Sequence, residues 1–222
     1  MSAALLRYHM KEPSVTVLGP GRRFALWVQG CHKRCPHCTA PDTRPLDGGT
    51  AVTTGALAWE IALSGAEGLT ISGGEPFLQA TALAEMIAKV RAIRPMNTIV
   101  FTGYLYEELL LSDTAQALLS QTDLLIDGAY IAALDDGKGL RGSTNQRLLF
   151  LTDALEPYQE TLLSCPRPPQ QVFAHGAERH IIGIPSSVGA LVSPVGSVGR
   201  SASAVDLPSA EVSTGHPHPA SL

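Results

Sequence analysis

A chain of 222 residues, 45% hydrophobic and 16% charged, can bury one substantial core and has the composition of an ordinary globular α/β protein. Its net charge of −4 supplies no basic field for nucleic acid or an anionic membrane surface, and no apolar run is long enough to span a bilayer, so neither is expected as a partner. No charged-then-apolar signal segment is seen, and four unevenly spaced cysteines make no secreted disulfide framework, which points to a reducing, cytoplasmic setting.

In chain order, the first predicted strand runs from Phe24 to Gln29. The run Cys31-His32-Lys33-Arg34-Cys35-Pro36-His37-Cys38 follows it directly. Three thiolates this close can hold a cubane [4Fe-4S] cluster while leaving one iron without a protein ligand, whereas electron-transfer clusters normally use four cysteines. The same stretch, a C-x2-C pair beside His32 and His37, also suits a structural zinc site, and with it a binding module without catalysis. Both readings stand on the local residues.

A helix is expected over Thr54 to Ser64, where Leu57, Ile61 and Ala62 recur at helical spacing and Thr53 or Thr54 can cap the start. A strand from Gly68 to Ser72 then ends in Gly73-Gly74-Glu75-Pro76, and Leu83, Ile87 and Val90 mark a helix over Leu78 to Ile93. Strands at Thr98 to Thr102, Asp123 to Asp127 and Leu148 to Leu151 complete the pattern, with a helix between Tyr106 and Ser120 broken near Asp113. This alternation is that of βαβ units on a parallel sheet, whose ligand sites gather at the carboxyl ends of the strands. The cysteine trio and the Gly73 to Pro76 turn fall on that one rim. From Ser186 onward the chain is rich in Ser, Gly, Pro, Ala and Val without a periodic face, so residues 186–222 are expected to be a disordered tail and residues 1–185 a single domain.

The C-x3-C-x2-C spacing resembles that of the radical S-adenosylmethionine (SAM) enzymes. Gly19-Pro20-Gly21-Arg22-Arg23 and Trp27-Val28-Gln29-Gly30-Cys31 are similar to the entry of the glycyl-radical-enzyme activases, and Ser72-Gly73-Gly74-Glu75-Pro76 resembles their SAM-binding motif. Phe101-Thr102-Gly103-Tyr104, Asp127-Gly128 and Arg141-Gly142-Ser143-Thr144-Asn145-Gln146-Arg147 resemble the branch that activates anaerobic ribonucleotide reductase. The likeness runs from about Val17 to Pro185.

That resemblance implies a partial, open (β/α) barrel and an enzyme that reductively cleaves SAM to a 5′-deoxyadenosyl radical. The radical would then take the α-hydrogen of a glycine on a partner enzyme. It implies Cys31, Cys35 and Cys38 as ligands of a [4Fe-4S] cluster, and a flavodoxin- or ferredoxin-type electron donor. Gly73 and Gly74 would admit the methionyl end of SAM without a Cβ in the way, Glu75 would accept from its ammonium, His37 and Thr39 would touch the adenine, and Asp127 would lie near the ribose. Where activases of pyruvate formate-lyase carry an aspartate beside the third strand and a lysine after the fourth-strand aspartate, Phe101-Thr102-Gly103 and Gly128-Ala129 stand here, so no monovalent-cation site is carried over. A peptide or small metabolite is the alternative substrate. Arg141, Asn145 and Gln146 suit either SAM or partner binding, or the bracing of a turn. Cys165 reads as a lone thiol, and His175 and His180 are given no role.

Overall fold

Four parallel strands carry the site, and their order follows from the βαβ pattern. The protein was analysed as a computed structural model, which describes residues 4–176 and 178–185. Its elements are β1 (Leu5–Val15), β2 (Arg23–Val28), β3 (Thr50–Thr53), α1 (Thr54–Leu63), β4 (Gly68–Gly73), α2 (Ala80–Ile93), β5 (Asn97–Phe101), α3 (Tyr106–Leu109), α4 (Asp113–Leu119), β6 (Leu124–Asp127), β7 (Arg147–Phe150), α5 (Gln159–Ser164), β8 (Gln171–His175) and β9 (Glu178–Ile182). Seven strands form one open sheet in the order β3-β1-β2-β4-β5-β6-β7, in which β2, β4, β5 and β6 run parallel and β1, β3 and β7 pair antiparallel to their neighbours. β8 and β9 make a separate antiparallel hairpin. The tail expected from residue 186 lies outside the described residues.

Strand side chains alternate between two faces. Phe24, Leu26 and Val28 of β2, Leu69 and Ile71 of β4, Val100 of β5 and Leu125 of β6 pack with Leu57 and Ile61 of α1, Leu83, Ile87 and Val90 of α2, and Leu118 of α4. All three longer helices therefore cover one face. On the other, Ala25 and Trp27 meet Val17, Leu18 and Ile182, and Ile99, Leu124 and Ile126 meet Leu140, Leu155 and Leu162. Arg23 is fully buried; it donates to the Thr70 hydroxyl at 2.6 Å, the Leu69 carbonyl at 2.7 Å and the Asn97 side-chain oxygen at 2.8 Å. Burial pushes its pKa down to about 9, so it stays cationic at neutral pH.

The strand and helix boundaries expected from the sequence agree with this within a residue or two. Thr53 is the N-cap of α1, accepting from the Ala56 amide at 3.2 Å. The expected break near Asp113 separates α3 from α4, where Ser112 caps the second piece. The helix expected from Leu78 begins instead as a 3-10 turn, Pro76–Gln79, capped by the Glu75 carboxylate, and becomes α-helical at Ala80. β1, β3 and the β8–β9 hairpin are additions to the expected set. Among the described residues no helix is long and apolar enough to cross a membrane.

Candidate functional site

At the carboxyl end of β2 the chain enters a loop that folds back on itself. The buried Gln29 amide donates to the Pro45 carbonyl at 2.7 Å, Gly30 N donates to the Thr43 carbonyl at 2.7 Å, and Cys31 N to the Arg44 carbonyl at 3.1 Å. Thr43, itself buried, closes the loop through its hydroxyl onto the Ala40 carbonyl at 2.6 Å. These bonds hold Cys31, Cys35 and Cys38, all free and half-buried, along one wall of a cleft. The opposite wall is the end of β4, with Gly73, Gly74 and Glu75, and the end of β5, with Thr102 and Gly103.

The two glycines have a reason inside the protein itself. Gly73 lies at φ +104, and a Cβ there would meet the Val28 amide nitrogen at 2.5 Å. A Cβ on Gly74 would overlap the Gly30 carbonyl oxygen and lie 2.8 Å from its carbon and 3.0 Å from the Thr43 carbonyl oxygen. The absent side chains thus let the cysteine loop dock on the end of β4, where Gly74 N donates to the Val28 carbonyl at 2.9 Å and Glu75 N to the Gly30 carbonyl at 2.8 Å.

Glu75 is 2% exposed and faces the cleft. Its Oε1 accepts from the Thr102 hydroxyl at 2.8 Å and the Phe77 amide at 3.1 Å, and its Oε2 accepts from the Gly103 amide at 2.9 Å. Burial pushes its pKa up, while those three donors and the nearby Lys33 charge hold it down. One acceptor position on Oε2 remains, since a carboxylate takes about four hydrogen bonds. Burial likewise pushes the Cys31 and Cys38 thiols up, and Cys31 is raised further by Glu75 and the other two cysteines. Thiols so placed gain from any group that brings positive charge to them.

The remaining expected residues are placed as follows. Thr39 lines the cleft. His37 is exposed at φ +57, with the cysteines on either side of it turned inward. Asp127, fully buried at the end of β6, receives the Arg147 guanidinium on both oxygens and the Tyr106 amide at 2.8 Å, and it is the next residue, Gly128, that borders the cleft. Gln146 braces two loops, accepting from Gly142 N at 2.8 Å and donating to the Gly128 carbonyl at 2.9 Å, and Asn145 donates to the Ala129 carbonyl at 2.8 Å. Arg141 pairs with Asp136 at 2.9 Å. Cys165 is exposed and borders a separate groove. No role was expected of Lys33 or Tyr104, yet Lys33 lines the cleft and its ammonium lies 3.9 Å from the Tyr104 ring centroid.

The comparisons with known proteins agree with this geometry. Residues 17–149 match the family model described as a 4Fe-4S single cluster domain. The anaerobic ribonucleoside-triphosphate reductase-activating protein of Vibrio cholerae serotype O1 is 35% identical over 150 residues, 64% of this chain and 96% of the relative. That of Enterobacteria phage T4 is 33% identical over 156 residues, 68% of this chain and 97% of the relative. The chain belongs to the anaerobic ribonucleoside-triphosphate reductase-activating protein family. A pyruvate formate-lyase-activating enzyme of Listeria monocytogenes is 38% identical over 109 residues, but these are 46% of this chain and 44% of the relative.

With the family come a [4Fe-4S] cluster and SAM as cofactors. The residues present fit them. Three free thiols face one cleft beside a buried carboxylate with an acceptor position to spare, and no side chain projects from the glycine rim between them. Among the described residues no three His, Cys, Asp or Glu side chains converge as the ligands of a single metal ion would.

Proposed function

We propose that this protein is a radical SAM activase that installs a glycyl radical on a partner enzyme, with anaerobic ribonucleotide reductase as the partner. The observation that carries this is the meeting of three free cysteines and the Gly73-Gly74-Glu75 rim in one cleft at the carboxyl ends of four parallel strands. The seven-stranded sheet is, on this reading, the open (β/α) barrel of the radical SAM enzymes. Its end strands β3 and β7 leave a gap through which a partner's backbone loop reaches the cleft.

Cys31, Cys35 and Cys38 would ligate the cluster. When bound, the cluster supplies the electron that cleaves SAM to methionine and the 5′-deoxyadenosyl radical, which takes the glycine α-hydrogen. The protein's own share is orientation. Glu75 is held rigid by Thr102, Phe77 and Gly103 and offers its remaining acceptor position to the ammonium of SAM. Gly73 and Gly74 keep that rim free of side chains, and Thr39 with the backbone at His37 borders the adenine. Asp127 would lie near the ribose, its pairing with Arg147 tying β6 to β7 and fixing the Gly128 turn that borders the cleft. The electron would come from a flavodoxin- or ferredoxin-type donor in the cytoplasm.

Anaerobic reconstitution with iron and sulfide, reduction and addition of SAM should yield 5′-deoxyadenosine by chromatography, and Cys35→Ala should yield none. Mixing with anaerobic ribonucleotide reductase should then give a glycine-centred doublet in the electron paramagnetic resonance spectrum. Deoxyadenosine without a doublet would sink the partner assignment, and a full cluster without deoxyadenosine would sink the activity.

A further inference from the structure

One cationic side chain, Lys33, lines the cleft. Lys33, between the first two cysteines of the trio, stretches across Gly103, where a Cβ would stand 3.4 Å from the Lys33 Cγ and 3.6 Å from the Glu75 Oε2. Its ammonium ends over the Tyr104 ring. Among the described residues Lys33 makes no direct ion pair, so the ring face holds it, with the Glu75 carboxylate acting at longer range. Tyr104 is fixed in turn: its amide donates to the Thr102 hydroxyl at 3.1 Å, its carbonyl accepts from Gly128 N at 2.9 Å, and Thr102 donates to Glu75. A short, rigid stretch of chain thus sets an aromatic face beside a buried carboxylate, two surfaces that attract the same kind of group.

The ligand proposed above brings an ammonium with the same needs. Two ammonium groups cannot share so small a space, because at low local dielectric their repulsion is strong. The lysine is on a flexible four-carbon stem and is the partner that can leave. We propose that Lys33 is a tethered competitor: its ammonium occupies the cation subsite formed by Tyr104 and Glu75, and swings out when the ammonium of the incoming ligand takes its place. This rests on the reading that Glu75 receives the ammonium of SAM. The exchange keeps the buried carboxylate near a positive charge before and after binding, which spares the cost of a buried unpaired charge. It also weakens the ligand's apparent affinity by the strength of the contact that must be broken.

The test is equilibrium dialysis on anaerobically reconstituted protein, with SAM and with 5′-methylthioadenosine, which lacks the amino-acid arm. Lys33→Met should bind SAM about 3- to 10-fold more tightly, the range of a partly desolvated cation–π contact, and bind methylthioadenosine as the wild type does. Lys33→Arg, which keeps a cation for the ring, should show no gain. In a Tyr104→Leu background the Lys33→Met gain should shrink to less than about half, since the two residues act on one subsite. Unchanged or weaker SAM binding by Lys33→Met overturns the proposal, as does a gain that persists in full without the Tyr104 ring. Wild-type protein that holds a full cluster yet binds no SAM would instead overturn the site reading and this inference with it. Cluster absorbance and circular dichroism of each variant confirm that the fold is retained.

Discussion

Replacing Gly74 by alanine tests the docking of the cysteine loop on β4. Gly74 has an ordinary backbone conformation, so the substitution carries no conformational penalty of its own, and its whole effect is steric. The new Cβ would lie 2.8 Å from the Gly30 carbonyl carbon and 3.0 Å from the Thr43 carbonyl oxygen, where apolar contacts settle at about 3.5 to 4.0 Å. Both neighbours are backbone and cannot turn aside, so the loop must retreat by about 1 Å. That retreat stretches Glu75 N to Gly30 O, now 2.8 Å, and Gly30 N to Thr43 O, now 2.7 Å, past useful length. Overpacking costs about 1 to 3 kcal/mol and each lost hydrogen bond about 1 kcal/mol, which makes about 3 to 5 kcal/mol in all. A loss of that size is a large fraction of a domain's stability.

Urea unfolding of the metal-free protein, followed by circular dichroism without oxygen, reads this directly, and iron and sulfide content after reconstitution reads the displacement of the cysteines. Gly137→Ala is the control. It lies at φ +68 with nothing within 4 Å of its would-be Cβ, so it should cost only the left-handed conformation, about 1 to 2 kcal/mol, and leave the cluster content intact. If Gly74→Ala is less destabilised than Gly137→Ala and binds iron fully, the loop does not dock as described. The glycine would then serve ligand approach alone.

Three other outcomes are expected. Glu75→Gln keeps an acceptor for Thr102 and Phe77 but turns an NH2 toward the Gly103 amide, a loss of about 1 to 2 kcal/mol partly offset by removing a buried charge; it should stay folded by thermal melt and bind SAM at least about tenfold less tightly. Unchanged affinity would remove Glu75 from the ligand's contacts. Because burial raises the Cys31 and Cys38 thiols above their usual range, the metal-free protein holds those protons at neutral pH and must release them to bind iron, so cluster uptake at fixed iron and sulfide should strengthen from pH 7 toward pH 9; uptake that is flat over that span contradicts the assignment. Arg23→Ala should lose at least about 3 kcal/mol in urea unfolding, because it leaves a cavity and unmet acceptors at the Leu69 carbonyl, Thr70 and Asn97; Arg23→Met, which fills the space, should lose less.

The parallel strands were legible because burial on both faces writes them as short continuous apolar runs, as in Leu69-Thr70-Ile71 and Leu124-Leu125-Ile126. β1 was not, although it is the longest strand. It carries Arg7, His9, Lys11, Glu12 and Pro13, and its pairing with β2 shifts register between Tyr8 and Met10 and again between Glu12 and Val15. Those irregularities break the period of two on which a strand is recognised. β8 and β9 escaped for a related reason: only Ile182 of the hairpin is well buried, so hydrophobicity does not mark it. At the site, the meeting of the three cysteines and Glu75 in one cleft was legible because each follows a strand of one parallel sheet and so falls on its carboxyl rim. That of Lys33 and Tyr104 was not, since seventy residues separate two side chains that only the β2–β4–β5 order brings together.

The glycines have a reason in the fold that the sequence alone does not give. From sequence, Gly73 and Gly74 clear space for a ligand; in the fold, their missing side chains are already used by Val28, Gly30 and Thr43. The two roles are compatible because one causes the other. Docking the loop against β4 brings Cys31 close enough to Glu75 for the carboxylate to raise the thiol's proton affinity, and the neighbouring cysteines raise Cys31 and Cys38 further. Lys33, and Arg44 beside Cys38, offset this only in part. The backbone therefore assembles, before any ligand arrives, a cleft whose charges are best balanced by cations. An iron–sulfur core on the thiolates and a sulfonium and ammonium near Glu75 are cationic groups of that kind. Attraction of both cofactors to one place thus follows from a steric fact about two glycines, and a substitution that restores a Cβ there should disturb both together.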